Sequence, residues 1–171
     1  MSELTPEQQA LVEALAEALR RRAQRVVTAE SCTGGLIAAA CTSVAGSSRW
    51  FERGFVTYSN DAKTELLGVP ATLIATHGAV SEAVACAMAE GALRRSRADL
   101  SVAVTGIAGP DGAVEGKPVG TVWMAVSRLD GCGDDPAPAT RATLLQLSGD
   151  RAAVRRQTVT QALQALLASK V

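Results

Sequence analysis

The sequence predicts an α/β fold: a single layered α/β/α domain over residues 1–171, with a mixed sheet and helices on both faces. Three observations lead there. Short β-branched runs alternate with alanine- and leucine-rich stretches of helical period. Two of those runs end in glycine-rich turns, at 31–35 and 106–112. The last two runs, 120–127 and 140–147, follow one another with no helical stretch between them, which reads as a meander. After an opening helix the order is βαβα(α)βββα, and such a sheet has helices packed on it from both sides.

Each element has its own warrant. Thr5 followed by Pro6 reads as an N-cap with proline at the first helical position, and Leu11, Leu15, Ala18 and Leu19 share one face of a helix over 5–22. The arginines at 20–22 close that helix, where solvated cations are ordinary. Val26 and Val27 suit a buried strand, and Leu36, Ile37 and the alanines at 38–40 suit a helix running to about Val44, so a tight turn falls at 31–35. Trp50 and Phe51 follow a break at 45–48 and read as buried, in the core or at a subunit contact. Residues 55–58 read as a second strand, Ser59 or Asn60 as an N-cap, and 62–67 as a short helix ended by Gly68 and Pro70. Residues 75–78, with His77, read as a loop. A helix over 81–95, a strand over 99–105 and a final helix opened by Asp150 complete the chain, with a turn at 130–136 inside the meander.

Length and composition narrow the function. The chain has 171 residues, enough for one domain with a full core. Lys+Arg and Asp+Glu stand equal at 17 each, and only 3% of residues are aromatic, so neither a basic nor a base-stacking nucleic-acid surface is expected. Cysteines 32, 41, 86 and 132 show no metal-ligand or disulfide spacing; no metal and no cofactor is expected, and the thiols read as reduced in a cytoplasmic protein. No run approaches the ~20 apolar residues of a membrane span.

Chemistry concentrates where strands end. A strand-to-helix turn leaves backbone amides unpaired, and glycines let that backbone approach a ligand. Ser31 and Cys32 sit in such a turn. A serine nucleophile needs a base, and the lone histidine, His77, has no nearby carboxylate in sequence to orient it. Lys63 is the better candidate, because a helix N-terminus and partial burial both disfavour its charged form. Tyr58, at the end of its strand, could relay the proton. Cys32 is the rival nucleophile, since a thiol at a helix N-terminus ionises more readily. The loop after Thr105 could form an anion nest, with Lys117, Arg141, Arg151 or Arg155 as charge partner. The plain reading stays open beside this one: an N-capping serine, glycines that only permit close packing, and a non-catalytic nucleotide-binding module.

Seven motifs carry a resemblance: Thr28-Ala-Glu-Ser-Cys-Thr-Gly-Gly35, Gly46-Ser-Ser48, Gly54-Phe-Val-Thr-Tyr-Ser-Asn60 with Lys63, His77-Gly-Ala-Val-Ser-Glu82, Gly106-Ile-Ala-Gly-Pro-Asp111, Lys117-Pro-Val-Gly-Thr121 and Gly149-Asp-Arg151. From about Leu4 to Leu167 the chain resembles the CinA C-terminal domain family. The resemblance implies a nicotinamide-nucleotide amidohydrolase, converting nicotinamide mononucleotide and water to nicotinate mononucleotide and ammonia. It implies Ser31 as nucleophile with Tyr58 and Lys63 assisting, the amides of Thr33, Gly34 and Gly35 at the oxyanion and substrate, and Thr105, Gly106, Ile107, Ala108 and Gly109 against the nucleotide. Arg141 and Arg151 are the candidate phosphate partners. The resemblance, with Trp50 and Phe51 as an apolar patch, points to a homodimer or higher homo-oligomer. Longer members add an N-terminal domain, whose activity is not expected here.

Overall fold

The computed structural model describes residues 4–130 and 137–169. The predicted turn at 130–136, except Asp130, and with it Cys132, lies outside them. Helix α1 (Pro6–Arg21) starts at the expected cap: Thr5 accepts from the Gln8 amide while the Gln8 side chain accepts from the Thr5 amide. Strand β1 (Val26–Glu30) leads to α2 (Leu36–Thr42), a 3₁₀ turn (Ser47–Arg49) and β2 (Phe51–Val56). Then come α3 (Asn60–Leu67), α4 (Ala71–His77) and α5 (Glu82–Arg94), before β3 (Leu100–Gly106), β4 (Thr121–Asp130), β5 (Ala137–Gln146) and α6 (Arg151–Ala168).

The architecture is α/β. The sheet order is β2-β1-β3-β4-β5; β1 is parallel to both neighbours, while β4 and β5 run antiparallel as the predicted meander. The two faces feed separate apolar clusters. Val26 packs with Val12 and Leu15 of α1, Ile37 of α2 and Leu163 of α6. Val27 and Ala29 pack with Leu67 of α3, Ile74 of α4 and Met88 of α5. This period of two makes β1 the centre of the molecule, and its carboxyl end meets the turn that carries Ser31.

Three expectations change. Strand β2 begins at Phe51, four residues before the predicted start, because an edge strand tolerates Glu52, Arg53 and Gly54. At Gly54 a Cβ would stand 3.0 Å from both Ala38 Cβ and Thr28 Oγ1, so glycine is what lets α2 cross so close. Tyr58 consequently falls beyond the strand. Trp50 is fully buried and stacks edge-to-face on Phe51 at 6.3 Å within the core, so it cannot also supply a subunit contact. His77 ends a short helix, α4, rather than lying in a loop; Ile74 is the only residue that this helix buries, which left it no apolar period to read. Among the described residues, no helix is long and apolar enough to cross a membrane.

Candidate active site

Ser31 follows directly on β1, and its amide donates to the Val104 carbonyl at 3.0 Å, extending the β1–β3 ladder by one residue. The chain then turns. The Gly34 amide donates to the Ser31 carbonyl at 3.0 Å, and both Gly34 and Gly35 take positive φ, which a residue with a Cβ rarely adopts. This turn sends α2 back over the sheet and leaves the Ser31 hydroxyl at the carboxyl edge of the strands, where open α/β folds hold their ligands.

Lys63 reaches the same point from the other side of the sheet. Ser59 caps α3 by accepting from the Ala62 amide, and Lys63 extends inward from the first turn. Its Nζ lies 3.0 Å from Ser31 Oγ, 2.8 Å from the Thr57 carbonyl oxygen and 3.4 Å from that of Tyr58. The side chain is 1% exposed, and burial, the main cause, holds its amine below the usual lysine range, with Cys32 acting the other way. A neutral amine has two N–H groups and one lone pair. In that form two carbonyls would take both N–H groups and leave the lone pair toward the serine hydroxyl, whereas the charged amine donates to Ser31 Oγ.

A cleft of about 220 Å³ opens over this pair, lined by Ser31, Lys63, Tyr58, Thr105, Gly106 and Arg151 among others. Ala108 is also in its wall. The Tyr58 hydroxyl accepts from Arg151 Nη2 at 2.8 Å, while Arg151 Nη1 donates to the Gly109 carbonyl at 2.8 Å. The phenol therefore meets Arg151, and only the backbone carbonyl of Tyr58 meets Lys63. Thr105 Oγ1 donates to the Ala79 carbonyl at 2.8 Å and so fixes the wall opposite. At Gly106 a Cβ would collide with Val122 and the Thr121 carbonyl, so that glycine serves close strand packing.

Other predicted positions stand elsewhere. Arg141 lies on the edge strand β5, in the wall of a separate groove with Met124 and Thr143, so it is removed from the phosphate candidates. Thr33, Gly34, Gly35, Ile107 and Gly109 are outside the cleft lining, Gly109 contributing its carbonyl to Arg151. His77 is exposed and not in the lining. The amides of Gly34 and Gly35 are committed, to the Ser31 carbonyl and to Glu30 Oε2, because the turn bends back on itself. Among the described hydrogen bonds, the Thr33 amide has no protein acceptor, although Thr33 itself is fully buried and its carbonyl accepts from Arg155. Cys32 borders the cleft, but burial pushes its thiol up to about 11, and Glu30 adds to the effect.

The residue that the sequence reading missed is Glu30. It is fully buried and accepts from the amides of Gly35, Ile37 and Ala38, so the start of α2 is closed by the protein's own carboxylate. The signal was present in the alternation of β1: Val26, Thr28 and Glu30 share one face, and Val26 is core.

Comparisons with known proteins place the chain in a family. Residues 8–170 match the family model of the CinA C-terminal domain. Nicotinamide-nucleotide amidohydrolase PncC of Escherichia coli (strain K12) is 54% identical over 156 residues, covering 91% of this chain and 90% of that protein. The protein of the same name from Pseudomonas putida is 54% identical over 153 residues, covering 90% and 91%. The crystal structure of competence/damage inducible protein CihA from Agrobacterium tumefaciens superposes with a TM-score of 0.88 at 43% identity over 98% of both chains.

Proposed function

We propose that this chain, which belongs to the CinA C-terminal domain family, is a nicotinamide-nucleotide amidohydrolase that deamidates nicotinamide mononucleotide through a Ser31 acyl-enzyme. The relatives of that name support the reaction. The observation that carries the mechanism is the 3.0 Å separation of Lys63 Nζ and Ser31 Oγ inside a buried pocket. Ser31 Oγ attacks the carboxamide carbon as its proton passes to Lys63. The tetrahedral intermediate then collapses, and the protonated Lys63 returns the proton to the departing nitrogen, which leaves as ammonia. Water, deprotonated by the again neutral Lys63, hydrolyses the ester.

Of the predicted set, the Thr33 amide alone has no protein acceptor among the described hydrogen bonds and is the donor left for the oxyanion, such a donor being worth roughly 2.7–4 kcal/mol. Arg151 takes the phosphate; the lining of the cleft holds no carboxylate, so Arg151 is not neutralised there. Tyr58 orients that guanidinium through its hydroxyl. The enzyme acts in the cytoplasm. It assembles as a homodimer or higher homo-oligomer through the β4–β5 end of the sheet, where Leu129 and Leu144 remain exposed.

Ammonia release measured across nicotinamide, its riboside and its mononucleotide tests the reading. Release from the mononucleotide is expected, and a purely nucleotide-binding module would release none.

A further inference from the structure

Glu30 is the one fully buried carboxylate among the described residues, and no lysine, arginine or histidine stands within ion-pair reach of it. Five donors satisfy it instead. Oε2 accepts from Thr33 Oγ1 at 2.6 Å and from the Gly35 and Ile37 amides at 3.0 Å; Oε1 accepts from the Ala38 amide at 2.8 Å and Thr28 Oγ1 at 3.3 Å. A carboxylate is tolerated in the interior only when its lone pairs are used in this way. The cap at the start of α2 comes from here, since Gly35, the N-cap residue, has no side chain to offer.

The same residue also reaches the other half of the dyad. Its backbone carbonyl accepts from the Thr57 amide at 2.8 Å, and the Thr57 carbonyl in turn accepts from Lys63 Nζ at 2.8 Å. Its side chain winds the turn whose first residue is Ser31. One residue therefore fixes both the hydroxyl and the carbonyl that aims the amine.

We infer that Glu30 is the positioning residue of the Ser31–Lys63 pair and favours the hydroxyl as nucleophile: it holds the turn that sets Ser31, and its buried carboxylate, two residues along the chain from Cys32, opposes a second negative charge there. This deepens the serine-acyl reading above and rests on it. Glutamate is required by reach and by charge. Glutamine, of equal shape, would turn an N–H₂ group toward amide donors, and aspartate is one methylene short of α2.

Glu30→Gln tests this, with circular dichroism and the protection of fully buried Cys41 from iodoacetamide as controls for the fold. The variant is expected to lose about 10²-fold in kcat, the cost of roughly 1 Å of misplacement, with KM changed by no more than about threefold. Labelling of Ser31 by a sulfonyl fluoride should slow by a similar factor, while Cys32 is alkylated faster than in the parent and Cys41 stays protected. A passive cap would leave kcat and both labelling rates per folded molecule unchanged, which overturns the inference; so does alkylation of Cys32 and Cys41 at equal rates, which marks general loosening. Should Glu30→Gln fail to fold, Thr33→Val removes one of the five donors and is expected to slow Ser31 labelling about tenfold; unchanged labelling overturns the inference. The labelling reactions need no substrate. A parent protein labelled at Ser31 but inert toward nicotinamide mononucleotide would refute the substrate assignment and leave the Glu30 comparison to be decided by the labelling ratio.

Discussion

Arg151, the first residue of α6, donates through Nη2 to the hydroxyl of Tyr58, two residues past the end of β2, and so ties the last helix to the segment between β2 and α3 across the cleft. The bond places an unneutralised guanidinium at the mouth of a pocket whose floor is Ser31 and Lys63.

Removing that guanidinium should weaken phosphate binding and spare the chemistry. Arg151→Ala is expected to raise KM for the mononucleotide by roughly 10- to 100-fold, the worth of a charge-assisted pair, with a smaller change in kcat. Any turnover of the riboside, which lacks the phosphate, should be nearly the same in both proteins. An equal loss on the two substrates would remove Arg151 from the phosphate site.

Cys32→Ala is expected to keep at least about a tenth of the parent rate, because a thiol held near 11 is protonated at neutral pH and the lysine faces its neighbour. Steady-state rates of the purified variant decide this, and an inactive, folded Cys32→Ala would revive the thiol as nucleophile.

Burial holds the Lys63 amine below its usual range, so the base is neutral at pH values where a solvated lysine is still charged. Activity is expected to rise with pH and level off, with a midpoint below the ~10.4 of free lysine. Stability moves in the same sense. Between the folded pKa and ~10.4 the unfolded chain binds a proton that the native chain has released, so unfolding free energy increases with pH across that window. Lys63→Met should lack that increment in denaturant titrations, and it should lose turnover. Activity that falls as pH rises through the window would contradict a neutral lysine base.

Much of this site is written locally. Ser31 could be found because a β-branched run stops at a hydroxyl before two glycines, and Lys63 because an N-cap places it in the first turn of a helix. The helices packed on both faces and the terminal meander follow from periodicity in the same way. What escaped depends on tertiary placement. For Glu30 the alternation of β1 points to the core face, but its role as a cap depends on α2 folding back over the strand's end. Arg141 and Arg151 are equivalent in sequence; the sheet order sends the first to the far edge, and hydrogen bonds to Tyr58 and Gly109 hold the second at the cleft. Trp50 offered two fates, and burial on one face of the sheet chose between them.

Light scattering at micromolar concentration should give a mass of at least twice the 17.6 kDa of one chain. Leu144→Glu, at an exposed position on β5, should lower that mass without altering the fold. A parent protein that scatters as a monomer would remove the proposed assembly.

The most direct measurement is ammonia release from nicotinamide mononucleotide by Ser31→Ala beside the parent, with nucleotide binding followed by calorimetry on the same samples. Loss of the hydroxyl removes the nucleophile that Lys63 Nζ contacts, while Arg151 and the cleft walls remain. The expected result is no ammonia above the uncatalysed rate with binding retained. Turnover by Ser31→Ala near the parent rate would contradict the serine mechanism.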